Sequence, residues 1–286
     1  MNFSRIISGT MTWGIWGKNY KTDQMIELIN CCLENNITTF DHADIYGGYT
    51  TENGFGKAFG ESQIKREKIQ LISKCGIEHT EGRDNKIKHY NYSAAYIIRS
   101  VENSLKNLQT DYLDTLLLHR PSPLMQADEI AEAIEKLKKE GKIKSFGVSN
   151  FSPIQTELIN QRTKIEFNQI QFSATHLEPM LDGSLDYMQL HAITPMSWNP
   201  LGTIFKEKNE KMIRLHILLD QLEIKYNVTK DVLLLSWIMQ HPAGILPVIG
   251  TTNLDRIKNS GESISTKLEL EDWFAIWTES VGHKVP

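Results

Sequence analysis

Short apolar runs rich in β-branched residues alternate with longer stretches of helical period along the whole chain. Eight runs carry the strand pattern, at residues 9–13, 37–41, 69–74, 113–119, 144–149, 167–171, 193–198 and 246–250. Their apolar character is nearly unbroken, as in Ile69-Gln70-Leu71-Ile72 and Leu116-Leu117-Leu118. That is the mark of strands covered on both faces, as in parallel sheets. The intervals between them repeat every three or four residues. Ile97, Ile98, Val101, Leu105 and Leu108 form one stripe, with Ser93 placed to cap its start. Ile130, Ala133, Ile134 and Leu137 form another, with Gly141 where a terminating glycine belongs. Met25, Ile26, Ile29 and Leu33 form a third.

Strand–helix alternation with short connections implies right-handed βαβ units. Eight units in 286 residues imply an α/β protein of the (β/α)8 TIM-barrel type, with residues 1–286 as one domain. An open doubly wound sheet is the alternative, and eight units favour closure. Residues 201–243 are too many for one helix and predict two, the second starting near Thr229. A last helix is expected over residues 270–280.

Composition removes several function classes. With 40% hydrophobic and 23% charged residues, the chain resembles a globular protein able to bury a sizeable core. Thirty-one basic against 35 acidic residues leave a net charge of −4. That is no electrostatic footprint for nucleic acid or an anionic membrane. The first residues, MNFSRIISGT, lack the pattern of a secretory signal, and no stretch approaches the ~20 apolar residues of a membrane span. Three cysteines, Cys31, Cys32 and Cys75, fit a reduced, cytoplasmic chain. Nine histidines show no ligand spacing, so no metal is expected. The glycine-rich segment 54–60 lies inside a helical pattern rather than just after a strand, which argues against a dinucleotide loop.

A barrel of this type carries its active site at the C-terminal ends of the strands. There the chain places Asp41, Lys74, His119, Ser149-Asn150, Gln171 and Trp198, with Tyr46 five residues beyond Asp41. Four of these make a coherent proton donor. A free tyrosine has a pKa of about 10, and a nearby ammonium favours the phenolate and lowers that value by about 1–3 units. Lys74 is expected to do this to Tyr46, Asp41 to keep Lys74 charged, and His119 to hydrogen-bond a carbonyl oxygen. Such a group protonates an oxygen that is gaining negative charge, which suits carbonyl reduction. No side chain donates hydride, so a nicotinamide cofactor must.

Read at this level, the sequence resembles the aldo-keto reductases. The resemblance rests on Phe40-Asp41-His42-Ala43-Asp44-Ile45-Tyr46-Gly47, Leu71-Ile72-Ser73-Lys74 and Tyr112-Leu113-Asp114-Thr115-Leu116-Leu117-Leu118-His119. It continues through the segments 141–151, Asn168-Gln169-Ile170-Gln171 and Pro247-Val248-Ile249-Gly250-Thr251-Thr252, in family order over most of the chain. It implies a catalytic tetrad of Asp41, Tyr46, Lys74 and His119, with Tyr46 as general acid. It implies NADPH bound in extended form. Ser149, Asn150 and Gln171 would hold the nicotinamide carboxamide, and Trp198 would stack on the ring. Asn199-Pro200-Leu201-Gly202 would approach the pyrophosphate, and Gly250-Thr251-Thr252-Asn253 with Arg256 would surround the 2′-phosphate. Many NADPH-specific relatives have lysine at the position of Gly250, so Arg256 becomes the main cation there, and a preference for NADP over NAD is expected. Asn199 stands where serine is common. The walls of an open substrate pocket are expected from Trp13, with Trp16 or Tyr20.

The substrate expected is a small aldehyde or ketone. Two rivals have distinct signatures. A cofactor-binding regulatory or redox-sensing subunit would bind NADPH with little turnover. A lyase would use Lys74 as a Schiff-base amine, which requires a neutral lysine; Asp41 close by argues against that.

Overall fold

The computed structural model describes residues 3–284. Ten strands occur in it: β1 (Ile7–Gly9), β2 (Thr39–Asp41), β3 (Gln70–Cys75), β4 (Ile77–Glu78), β5 (His89–Tyr90), β6 (Leu113–Leu118), β7 (Ile143–Ser149), β8 (Phe167–Gln171), β9 (Thr194–Trp198) and β10 (Leu246–Ile249). Eight of them close into a parallel barrel in the order β1-β2-β3-β6-β7-β8-β9-β10, with β10 returning to β1. The remaining two, β4 and β5, form an antiparallel pair above the rim, Ile77 opposite Tyr90.

The first expected run is displaced. The strand is Ile7–Gly9, and residues 10–13 already turn, with Trp13 N–H donating to Thr10 O at 3.0 Å. The Thr-Met-Thr-Trp sequence has β propensity, but a three-residue strand suffices because β1 pairs with β2 only over Ile7–Gly9.

Strand alternation sets the interior. Side chains two apart share a face, and Ile7, Ile72, Leu117, Phe167, Met196, Leu246 and Val248 pack together inside the barrel. Phe3 stacks on Phe167 at 5.0 Å near the N-terminal end of β8. The alternate positions, such as Phe40, Leu71, Leu116, Val148, Ile170 and Ile249, face the surrounding helices in one large core.

The helices follow the sequence pattern. Ser93 accepts from Tyr96 N–H at the head of Ala94–Leu108, and Gly141 lies just past Ala127–Lys139 with φ +70°. The interval 201–243 contains Glu210–Tyr226 and Lys230–Met239, the latter preceded by Thr229. The glycine-rich segment 54–60 is helical, within Thr51–Glu61. The final helix, Leu270–Val281, is fastened by Trp237 and Trp273. Their rings stack at 4.9 Å, and each indole N–H donates to the other's carbonyl at 3.0 Å. Among the described residues no helix is long and apolar enough to cross a membrane.

Candidate active site

The same alternation that fills the barrel builds the site. Two residues beyond interior Ile72 stands Lys74, beyond Leu117 stands His119, and beyond Met196 stands Trp198. Thr39 and Asp41, and Gln169 and Gln171, follow the same step. Each polar group therefore enters the barrel at its C-terminal mouth, above an apolar plug.

Lys74 is the centre. Its side chain is fully buried, and its ammonium donates to Asp41 Oδ2 at 2.8 Å, His42 O at 2.8 Å and Tyr46 Oη at 3.0 Å. All three protons are thus committed. Burial would lower its pKa, but Asp41 and then Tyr46 outweigh burial and raise it. A charged amine with no free lone pair cannot form a Schiff base, which removes the lyase reading.

Tyr46 is delivered by a tight turn. Gly47 and Gly48 follow it with φ of 59° and 60°. A β-carbon on Gly47 would meet Thr51 Oγ1 at 2.5 Å, so this left-handed turn admits glycine on both conformational and steric grounds. Since an ammonium only donates, Tyr46 Oη accepts from Lys74, and its own proton is directed elsewhere.

The expected lowering of the Tyr46 pKa is corrected here. Burial, the largest influence, raises it. Lys74 and, more weakly, Arg120 pull it down without overcoming burial, and Asp41 adds to the rise. The phenol therefore stays protonated, and Lys74 moderates a penalty rather than producing a phenolate.

His119 lies edge-on to Tyr46, with ring centroids 6.0 Å apart. Burial holds its pKa well below the usual value, helped by Lys74, Arg120 and Lys88. The ring is neutral, with one N–H, and its Nδ1 is buried without a hydrogen-bond partner. His42, next to Asp41, is also neutral; burial first and Lys74 second lower its pKa to about 3.

One contributor was missed from sequence. Gln169 Nε2 donates to Asp41 Oδ1 at 2.9 Å, so both carboxylate oxygens are held, one by Lys74 and one by Gln169. The motif Asn168-Gln169-Ile170-Gln171 contained the signal: period-two alternation places Gln169 in the barrel one step below Gln171.

The residues read as cofactor-binding come from the ends of four neighbouring strands, β7 to β10. Trp198 Nε1 donates to Asn150 Oδ1 at 2.9 Å, Asn150 Nδ2 to Ser149 Oγ at 2.7 Å, and Ser149 Oγ to Gln169 O at 3.1 Å. This chain of bonds orients the indole. Gln171 is half-buried at the mouth, and its amide makes no hydrogen bond among the described residues. Asn199 and Gly202 both adopt left-handed φ, 52° and 57°, and Gly202 N–H closes the turn onto Asn199 O at 2.8 Å. A β-carbon on Gly202 would lie 1.9 Å from Thr175 Oγ1. Pro200 is buried within this turn and Leu201 packs against the core. Asn253 caps Leu254–Ser260 by accepting from Arg256 N–H, and the exposed Arg256 guanidinium has no partner among the described residues. Thr251 Oγ1 accepts from Asn253 N–H at 3.2 Å, and Gly250 is exposed with open space beside it.

The pocket wall needs correction. Trp13 is fully buried, edge-on to Phe40 and tilted against Phe55, so it packs in the core and lines no opening. Tyr20 is a tether, its hydroxyl donating to Thr252 Oγ1 at 3.0 Å. Trp16 is the aromatic at the mouth: 37% exposed, 6.3 Å from the Tyr46 ring, with its indole N–H on Glu81 at 3.4 Å. No cluster of side chains able to hold a metal ion occurs among the described residues.

Residues 5–279 match the model of the Aldo/keto reductase family. The chain is 42% identical to "Uncharacterized oxidoreductase YcsN" of Bacillus subtilis, covering 100% of this chain and 97% of that one. It is 36% identical to a "6-dehydroglucose reductase" of Agrobacterium fabrum, over 90% of this chain and 88% of the relative. Among solved structures, an aldo/keto reductase from Klebsiella pneumoniae in complex with NADP and acetate superposes with a TM-score of 0.80 at 25% identity, covering 96% of this chain and 90% of that one.

Proposed function

The chain belongs to the aldo/keto reductase family, a family of oxidoreductases, and we propose on that premise that it reduces a small aldehyde or ketone to the alcohol, using NADPH in preference to NADH, with Tyr46 as the proton donor. The observation that carries this reading is the Lys74 ammonium, which spends one proton on Tyr46 Oη at 3.0 Å and the other two on Asp41 and His42.

The donor set fits a nicotinamide nucleotide. Among the described residues, the Gln171 amide at the mouth and the Arg256 guanidinium at the rim have no partner, and the partly exposed Trp198 ring is held in plane by Asn150. Ser149, Asn150 and Gln171 would hold the carboxamide and Trp198 the ring face. Residues 199–202 would lie along the pyrophosphate. Gly250, Thr251, Thr252, Asn253 and Arg256 would meet the adenosine end and its 2′-phosphate. When bound, the cofactor supplies the hydride. The Klebsiella relative's NADP supports this assignment.

The remaining steps belong to the chain. The neutral His119 N–H holds the substrate oxygen near Tyr46 Oη. Tyr46 transfers its proton to that oxygen as it becomes negative. Lys74, already hydrogen-bonded to Oη, stabilises the phenolate that forms, and Asp41 balances the ammonium in a site where charge is poorly solvated. Gln169 keeps Asp41 oriented.

The test is NADPH oxidation at 340 nm across a panel of aldehydes and ketones, for the native chain and for Tyr46→Phe. The variant is expected to lose about 10²–10⁴ in kcat while still quenching tryptophan fluorescence with NADPH. Unchanged turnover in the variant, or no reduction of any carbonyl by the native chain, overturns the reading.

A further inference from the structure

At the mouth, next to His119, stands a cation that the proton-transfer machinery does not use. The backbone of Arg120 is clamped: Tyr92 Oη accepts from its N–H at 3.1 Å and donates to its carbonyl at 2.5 Å. The side chain is half-buried, with the guanidinium 5.5 Å from the centre of the Trp198 ring. It makes no hydrogen bond and no ion pair among the described residues. It is close enough to Tyr46 and His119 to act on the titration of both.

The nearby carboxylates do not neutralise it. Asp41 is taken by Lys74 and Gln169. Glu81 is exposed and meets the Trp16 indole. Lys88 adds a second positive charge toward His119. A guanidinium that is partly withdrawn from water and has its planar fork unpaired matches a carboxylate in shape and charge. Its aromatic contact with Trp198 steers the fork without using its N–H groups.

We propose that Arg120 determines substrate class: the carbonyl compound reduced at Tyr46 carries a carboxylate, which Arg120 binds while His119 and Tyr46 hold the carbonyl oxygen. This rests on the reductase reading above and narrows it to oxo-acids and aldehyde-acids. Arg120 is a specificity residue; no bond to it is made or broken.

The experiment compares succinic semialdehyde with its methyl ester, nearly matched in size and differing in charge, in native, Arg120→Gln and Arg120→Lys chains. The native chain is expected to favour the acid in kcat/KM. In Arg120→Gln the acid-to-ester ratio of kcat/KM falls on the order of tenfold to a hundredfold, the worth of a charge-assisted hydrogen bond, chiefly through KM for the acid. Arg120→Lys restores part of the ratio, because the charge returns without the fork. NADPH affinity, read by fluorescence, and the thermal midpoint stay in place. A ratio that does not change, or a ratio loss matched by weaker NADPH binding, overturns the proposal. If neither compound is reduced, the carbonyl panel above decides the reductase reading, and titration of the NADP-loaded chain with succinate decides the inference. Saturable binding that weakens tenfold or more in Arg120→Gln supports it; equal or absent binding in both chains overturns it.

Discussion

Replacing Asp41 by asparagine separates the charge of the buried pair from its shape. Asp41 Oδ2 lies 2.8 Å from Lys74 Nζ, with side-chain exposures of 4% and 0%. At that distance and an effective dielectric of 20 the attraction is about 6 kcal/mol. Measured losses on breaking buried pairs run about 3–5 kcal/mol, because one charge is left unpaired. Asparagine keeps the size and one acceptor, and Gln169 can turn its amide to suit, so the electrostatic part is what remains. At pH 7 the thermal midpoint should fall on the order of 10 °C.

The pH dependence makes the test specific. In the native chain the Lys74 pKa is raised in the folded state. Its contribution is fully present below the ordinary lysine value of about 10.4 and is lost as pH rises through the folded value. In Asp41→Asn the carboxylate that chiefly opposed burial is gone, so the folded pKa is expected to drop below the ordinary value. The cost of keeping Lys74 charged is then largest at lower pH and fades as pH climbs toward about 10. Melting curves from pH 7 to 10 should show the two proteins converging. A gap below about 1 kcal/mol at pH 7, or one that stays constant to pH 10, refutes the account of Lys74 as a charged, Asp41-compensated group.

Other consequences follow from the same geometry. Because burial outweighs Lys74 and raises the Tyr46 pKa, kcat for reduction should hold through neutral pH and decline only above the ordinary tyrosine value of about 10; an alkaline limb centred below pH 9 would contradict this. Arg256→Ala should raise KM for NADPH about tenfold and leave KM for NADH nearly unchanged, measured side by side at 340 nm; equal effects on both would remove Arg256 from the 2′-phosphate. Gly202→Ala forces a β-carbon to within 1.9 Å of Thr175 Oγ1 at φ +57°. It should cost about 1–3 kcal/mol of stability and weaken NADPH binding, by thermal melt and fluorescence titration; a native-like protein would show that the 199–202 turn yields freely.

Much of the architecture was legible because it is local. Period-two and period-3.6 patterns are carried by neighbouring residues, and seven of the eight runs lie on barrel strands at or near the expected positions. The exception, β1, failed because strand length there is set by its partners' register rather than by the propensity of Thr10–Trp13. The gathering of Asp41, Lys74 and His119 at one rim was legible for a related reason. Asp41, Lys74 and His119 are polar groups at the ends of apolar runs, and parallel strands in a closed barrel send all such ends to one rim.

The sequence alone determined the barrel, the rim and the identity of the groups on it. Tertiary structure decided which way each group points and how much water it keeps. Trp13 and Trp16 are three residues apart and equally aromatic, yet one is sealed against Phe40 and Phe55 and the other opens at the mouth. Gln169 became a partner of Asp41 only because closure brings β8 across from β2. The direction of the Tyr46 pKa reversed because desolvation depends on how completely the folded chain surrounds the phenol, a sum over residues distant in sequence. Arg120 has no ion-pair partner among the described residues for the same reason: charge balance at a point in space is settled by what the fold brings there, and no spacing along the chain records it.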